Sequence, residues 1–174
     1  LWSATDVEII PTSEEESHPF IAKLGPDILD DSCTPSLIYD RLKSKKFSNR
    51  NASSLMLDQS FIAGIGNYLR SEILHQAGIH PSAKPRLLSD AKIQSWAKAT
   101  KFLSELSYDS GGFTVSEKVA LAGKQRGEPR RAYRHSAFCR NDLPCHYCGT
   151  EIVRIRVANR RLDFCPECQV LSEN

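Results

Sequence analysis

LDQSFIAGIGNYLRSEIL, residues 57–74, sets the reading of the whole chain. Gly64 and Gly66 flank Ile65 between two apolar stretches, and Asn67 stands where the second stretch begins. Two glycines so close together permit a sharp chain reversal and a close approach by another backbone. Upstream, SSLMLDQSFIAG predicts a mostly buried helix over residues 53–64. Downstream, YLRSEILHQAG puts Tyr68, Leu69, Ile73, Leu74 and Ala77 on one helical face, with Asn67 as cap and Gly78 as terminator. The free N–H groups and the dipole at such a helix start form an anion site. Plain capping with no ligand accounts for the same residues. The GxGN pattern is not the dinucleotide fingerprint, since it lacks the third glycine and follows no parallel-strand pattern.

Helical signals continue on both sides. Thr34-Pro35 is an N-cap followed by proline at the first helical position, and Leu37, Ile38 and Leu42 supply an apolar face. Ser89-Asp90 starts another helix, with Ile93, Trp96, Ala97, Phe102 and Leu103 broadly at helical spacing. Residues 11–17, PTSEEES, read as a linker, and the polar residues 107–131, with Gly111-Gly112 and Gly123, read as a long loop. The chain opens on LWSATDVEII without an initiator Met, and this partly alternating stretch reads as a strand cut from a larger protein. The expected organisation is mainly α. Residues 1–17 hold the last strand and linker of a preceding domain, 18–131 a helical domain with a polar loop, and 132–174 a small β-ribbon.

The ribbon is legible in PCHYCGTEIVRIRVANRRLDFCPECQ, residues 144–169. Cys145-x2-Cys148-x16-Cys165-x2-Cys168 has the spacing of a four-thiolate structural zinc site, one ion held by two tight turns. Two disulfides are the alternative. Gly149 follows the first pair, where a knuckle needs positive φ. VRIRV alternates as a hairpin arm should, with Val153, Ile155 and Val157 on one face and Ile152, Arg154 and Arg156 on the other. The turn falls near Ala158-Asn159, and Arg160 lies at or just beyond it. A metal with all four positions filled by protein folds a segment too small for its own core and leaves no open position for catalysis. Arginines held at such a tip suit phosphate, because the guanidinium fork is bidentate and permanently charged. A solvent-exposed turn arginine is the bland alternative for Arg160 or Arg161.

Charge is distributed unevenly within a net of +2. Residues 1–31 hold eight acids against Lys23 alone, whereas residues 124–161 hold ten Lys/Arg against three acids. The second pattern fits either a nucleic-acid-binding face or a solvated basic surface. The 174 residues contain no apolar run long enough for a membrane span and no signal peptide pattern. With four of six cysteines at metal spacing, Cys33 and Cys139 are expected to be free thiols in a reducing compartment.

The combination of LDQSFIAGIGNYLRSEILHQAGIHP with a distant CxxC-x16-CxxC, and an arginine five residues before the third cysteine, resembles the formamidopyrimidine-DNA glycosylase/endonuclease VIII family, nearer to endonuclease VIII. The likeness extends over LWSATDVEII, HPFIAKLGPDILD and FSNRNASS and covers nearly the whole chain, with residues 107–131 matching loosely. It implies an N-terminal β-sandwich, a helix–two-turns–helix domain and a zinc finger. It implies base-excision repair by a DNA glycosylase and AP lyase acting on oxidised bases in double-stranded DNA, by a monomer with one structural zinc, cytoplasmic in a bacterium or nuclear in a eukaryote. By the same resemblance Asn67 and Gly66 hold phosphate, Arg160 grips phosphate and serves the second elimination step, and Lys23 stands where endonuclease VIII has a backbone-binding arginine. The family's N-terminal proline nucleophile, its adjacent glutamate and its sandwich lysine have no match in this sequence, so the chain alone is expected to be inactive. Cys139 stands where relatives often carry histidine, and Asn141-Asp142-Leu143 where they often have a glycine-containing turn. A stand-alone nucleic-acid-binding module and a zinc-stabilised protein-interaction domain are the competing readings.

Overall fold

The computed structural model describes residues 7–171. Helices α1 (Pro35–Lys43), α2 (Ala52–Leu55), α3 (Asn67–Ala77), α4 (Asp90–Asp109), α5 (Glu117–Gln125) and α6 (Arg130–Tyr133) precede a two-stranded antiparallel ribbon of β1 (Val153–Val157) and β2 (Arg160–Phe164). Residues 7–10 form no strand, and the rest of the strand expected at the start of the chain lies outside the described residues. The stretch read as a linker carries an exposed 3-10 turn, Thr12–Ser17.

The capping signals at Thr34 and Ser89 act where they were expected. Thr34 Oγ1 accepts from Leu37 N–H at 3.2 Å ahead of Pro35, and Ser89 Oγ accepts from Lys92 N–H at 3.3 Å. Ile38 and Leu42 of α1 pack with Ile93, Trp96, Ala97 and Leu103 of α4, while Trp96 Nε1–H points at the Met56 sulfur 3.2 Å away. Phe102 departs from the expected face and is 56% exposed.

Three expectations are overturned. The helix predicted over 53–64 stops after Leu55. Asp58 takes the Ser60 N–H at 2.8 Å, and Gln59 bonds Leu57 O, Ile65 O and Gly64 N–H. Side chains that satisfy local backbone groups compete with helix, and here they win. α3 is not one-faced: Arg70, Ser71, Glu72 and His75 are as buried as its apolar residues, because the helix lies between α4 and β2. The predicted loop 107–131 holds the end of α4, all of α5 and the start of α6. Ser116 Oγ accepts from Val119 N–H at 3.5 Å to start α5, and Gly123 is a packing residue rather than a breaker, since a Cβ there would lie 2.3 Å from that of Tyr133.

The ribbon turns through Ala158 and Asn159 with φ of 49° and 61°, the left-handed pair of a two-residue hairpin, and Val157 faces Arg160. Ile152, expected on the polar side, is buried against Ala137, Cys145 and Cys165, whereas Val153 is 41% exposed. Leu162 and Phe164 of β2 enter the main helical core. Leu162→Ala, at a fully buried site shared by ribbon and helices, is therefore expected to cost about 2–5 kcal/mol. Urea unfolding followed by far-UV circular dichroism checks it, and the loss is expected to appear in the helical signal as well as in the ribbon.

Candidate nucleic-acid interface and metal centre

The turn between α2 and α3 and the tip of the ribbon face each other across an open crevice of about 520 Å³, lined by Leu57, Gln59, Gly64, Ile65, Gly66, Ala158 and Arg160. Gly64 needs to be glycine, with φ of 92°. Gly66 does not need it for internal packing: its φ is −104° and a Cβ there would meet nothing within 4 Å. The space beside it is open on the crevice side.

Asn67 is not the cap of α3. Gly66 holds that position without a side-chain bond, and Asn67 is the first helical residue. Its Nδ2 donates to the carbonyl oxygen of Arg161 at 2.9 Å, so the start of α3 is bonded directly to β2. Arg70, one turn on and fully buried, donates to Asn67 Oδ1 at 2.7 Å, to the same Arg161 carbonyl at 2.9 Å and to Ser53 O at 3.2 Å. Burial, and then the nearby Arg160, draw the Arg70 pKa down to about 10. Lys23 is exposed at the end of the 3-10 turn Ile21–Lys23. Two residues on, Gly25 N–H donates to Gln59 O at 2.8 Å, so the segment bearing Lys23 is laid against the crevice-lining turn.

The four ribbon arginines are sorted by their partners. Arg154 forms a two-pronged pair with buried Asp163, its cross-strand neighbour, at 2.6 and 3.0 Å. Arg161 lies over the Phe138 ring, 4.5 Å from its centroid, and reaches Cys139 Sγ at 3.3 Å. Arg156 and Arg160 are exposed, and no described carboxylate pairs with either. Only Arg160 of the four lines the crevice.

Behind the crevice, α3 grips the approach to the ribbon. The Glu72 carboxylate, 1% exposed, accepts the Ser136, Ala137 and Phe138 N–H groups at 2.7–2.8 Å and the Thr114 hydroxyl at 2.6 Å. Burial pushes its pKa up, and the four donors oppose that push. His135 Nδ1 lies 3.0 Å from Thr114 Oγ1, and burial with Arg134 and Arg130 nearby holds this imidazole down at about 3. Sequence reading missed Arg70, Glu72 and Gln59. The one available signal was two opposite charges, Arg70 and Glu72, two positions apart within a single helix.

The sulfurs of Cys145, Cys148, Cys165 and Cys168 all lie within 4.8 Å of one another, and all six cysteines are free thiols. The pairs Cys145–Cys168 and Cys148–Cys165 are 3.9 and 3.4 Å apart, too long for the disulfide alternative. Four thiolates around one zinc stand about 3.8 Å apart, so the donor set fits a tetrahedral metal ion. Backbone N–H groups of Tyr147 and Cys168 already point at Cys145 and Cys165 sulfur, and Gly149 has φ of 80°. Cys33 is buried in the helical core and takes no part.

Two family profiles match the chain: the Formamidopyrimidine-DNA glycosylase H2TH domain over residues 24–118, and the zinc finger found in FPG and IleRS over residues 142–170. Endonuclease 8 of Escherichia coli (strain UMN026) is 38% identical over 169 residues, and that of Shigella sonnei is 37% identical. Each match takes in 97% of this chain and 61% of the relative, so the chain spans about three fifths of the curated relatives' length. Among solved structures, MutM (Fpg) from Thermus thermophilus matches with a TM-score of 0.72 at 29% identity, over 92% of this chain and 59% of that one. The Lactococcus lactis Fpg mutant G226P in complex with Fapy-dG-containing DNA matches with a TM-score of 0.74 at 25% identity, over 93% and 57%.

A histidine depressed in the folded state stabilises above its unfolded pKa of 6.5 and loses that contribution as pH falls toward the folded value of about 3. The wild type is thus expected to lose stability through that window more steeply than His135→Gln, by up to about 1.4 kcal/mol per pH unit for one proton. Chemical denaturation at a series of pH values reads the difference in slope.

Proposed function

Because the chain belongs to the formamidopyrimidine-DNA glycosylase H2TH family, we propose that it is the DNA-gripping portion of an endonuclease VIII-like base-excision-repair glycosylase and AP lyase acting on oxidised bases. The observation that carries the proposal is the crevice itself, where an open glycine, a helix N-terminus and an unpaired arginine converge on one open cleft. Asn67 keeps one amide N–H beyond the one given to Arg161, and the first N–H groups of α3 have no acceptor within the helix. Arg160 supplies the charge and the fork. Lys23 extends the contact along the backbone. Gly66 lets the phosphate approach without a side chain in the way. The endonuclease VIII relatives, and the Fpg structure with Fapy-dG DNA, support a damaged DNA duplex as the ligand. The chain would bind it as a monomer.

The zinc ion would be single and structural, held by Cys145, Cys148, Cys165 and Cys168 with no open coordination position. It supplies folding free energy to the knuckles that carry β1 and β2. The chemistry of the reaction needs an amine nucleophile at the lesion. The family's N-terminal proline and glutamate have no counterpart in these 174 residues. The chain by itself therefore binds and does not excise, and Arg160 would act in elimination only beside that nucleophile.

Binding to a duplex with one abasic site is expected to weaken with salt at a log–log slope of about −0.9 per phosphate neutralised. Arg160→Ala is expected to lower the slope by about one. Arg161→Ala is expected to leave the slope in place, because its guanidinium lies over Phe138. Fluorescence anisotropy across a salt series measures both, and equal slope losses in the two variants would replace the assigned contact with a diffuse basic surface. Metal analysis is expected to find one zinc per chain, and borohydride trapping on abasic DNA no covalent complex above that of a lysine-bearing control protein.

A further inference from the structure

Arg70 is unlike every other arginine near the crevice. Its side chain is fully buried, and among the described residues no carboxylate pairs with it. Its three bonds all go to neutral oxygens, those of Ser53, Asn67 and Arg161, and its Nε has no partner. A buried cation without a counter-charge is costly, and a site keeps one where an anion completes it or where its hydrogen bonds hold a neighbour in a required orientation. The second condition is met here. Arg160, at the crevice, makes the local potential more positive still.

The geometry constrains the Asn67 amide. An unrestrained primary amide can rotate by half a turn and exchange its oxygen and nitrogen at little cost. With a guanidinium 2.7 Å from one end, that end must be the oxygen, and the donating end must be the other. Arg70 and the Arg161 carbonyl together therefore fix which end of the Asn67 amide carries its N–H groups. By holding the Arg161 carbonyl as well, Arg70 ties the backbone next to Arg160 to α3. We infer that Arg70 is the positioning residue of this site, orienting Asn67 and the Arg160 backbone for phosphate and lending an uncompensated positive charge from behind. The inference rests on the phosphate-gripping reading of the crevice, and it adds a residue that touches no phosphate itself.

The test uses the 174-residue chain, a duplex carrying one tetrahydrofuran abasic site, and four proteins: wild type, Asn67→Ala, Arg70→Lys and the double variant. Lysine keeps the charge and loses the fork. Each single change is expected to weaken binding about tenfold, and the double variant by clearly less than about a hundredfold, because Arg70 acts in part through Asn67. Arg70→Lys binding like wild type, or a double variant showing the product of the two losses, would overturn the inference. Asn67→Asp gives a second reading that does not depend on how Arg70→Lys folds. A carboxylate at this position meets the Arg70 guanidinium and is expected to melt above Asn67→Ala while binding the duplex more weakly than wild type. Melting at or below Asn67→Ala would also overturn the inference. A wild-type chain that fails to bind the duplex would sink the proposed function instead, and the melting comparison would still stand on its own.

Discussion

The ribbon end of the molecule depends on the carboxylate of Glu72. Three consecutive backbone N–H groups, from Ser136 to Phe138, and one hydroxyl converge on it in a place closed to water. Removing a carboxylate from water costs several kcal/mol, and short charge-assisted bonds to all its accessible lone pairs offset that cost. The same bonds satisfy N–H groups of a segment that has no secondary structure of its own. Glu72 thus converts a loop into a fixed anchor. Phe138 is fixed with that loop and receives Arg161, while Cys139 N–H turns to Asp163 on β2. Buried Arg140 continues the chain of anchors by bonding Ala132 O and Pro144 O, which ties α6 to the first cysteine knuckle.

From this anchoring follows a division of labour among the basic residues. Arg154 is neutralised by Asp163, Arg140 is taken up by two carbonyl groups and Glu128, and Arg161 is spread over an aromatic ring. A surface with ten basic residues in residues 124–161 is therefore far less available to an anion than its composition implies. Arg160 stays free because it immediately follows the two left-handed turn residues, where the strand emerges from the hairpin and no acidic side chain reaches it. Specific phosphate contact needs few free charges in fixed places, and the paired arginines supply the fixing.

The cysteine cluster and the helical core are coupled rather than separate. Ile152 packs with Cys145 and Cys165, and Leu162 and Phe164, on the other strand, pack with the helices. His75 of α3 lies 3.4 Å from the Cys145 sulfur, so the helix that opens at the crevice also closes on the cysteine cluster. One helix thereby holds the crevice at its start, the Glu72 anchor in its middle and the cysteine knuckle at its end.

The residues alone determined whatever depends on neighbours within a few positions. The caps at Thr34 and Ser89, the two-residue hairpin turn and the cysteine pairs were all readable, because a cap, a tight turn and a CxxC are each short-range geometry. Short-range reading failed where a distant partner or a competing side chain outweighed it. Residues 56–64 left the helix because Asp58, Gln59 and the guanidinium of Arg41, bonded to Ser60 O and Phe61 O, hold the backbone another way. Gly123 sits inside a helix because Tyr133 occupies the space of its missing side chain. Arg70 and Glu72, two residues apart, serve partners on separate sides of one buried helix: Arg161, 91 positions away, for Arg70, and residues 136–138, more than 60 away, for Glu72. Such partners are set by packing the whole chain, since a buried charge takes its meaning from what the fold brings beside it.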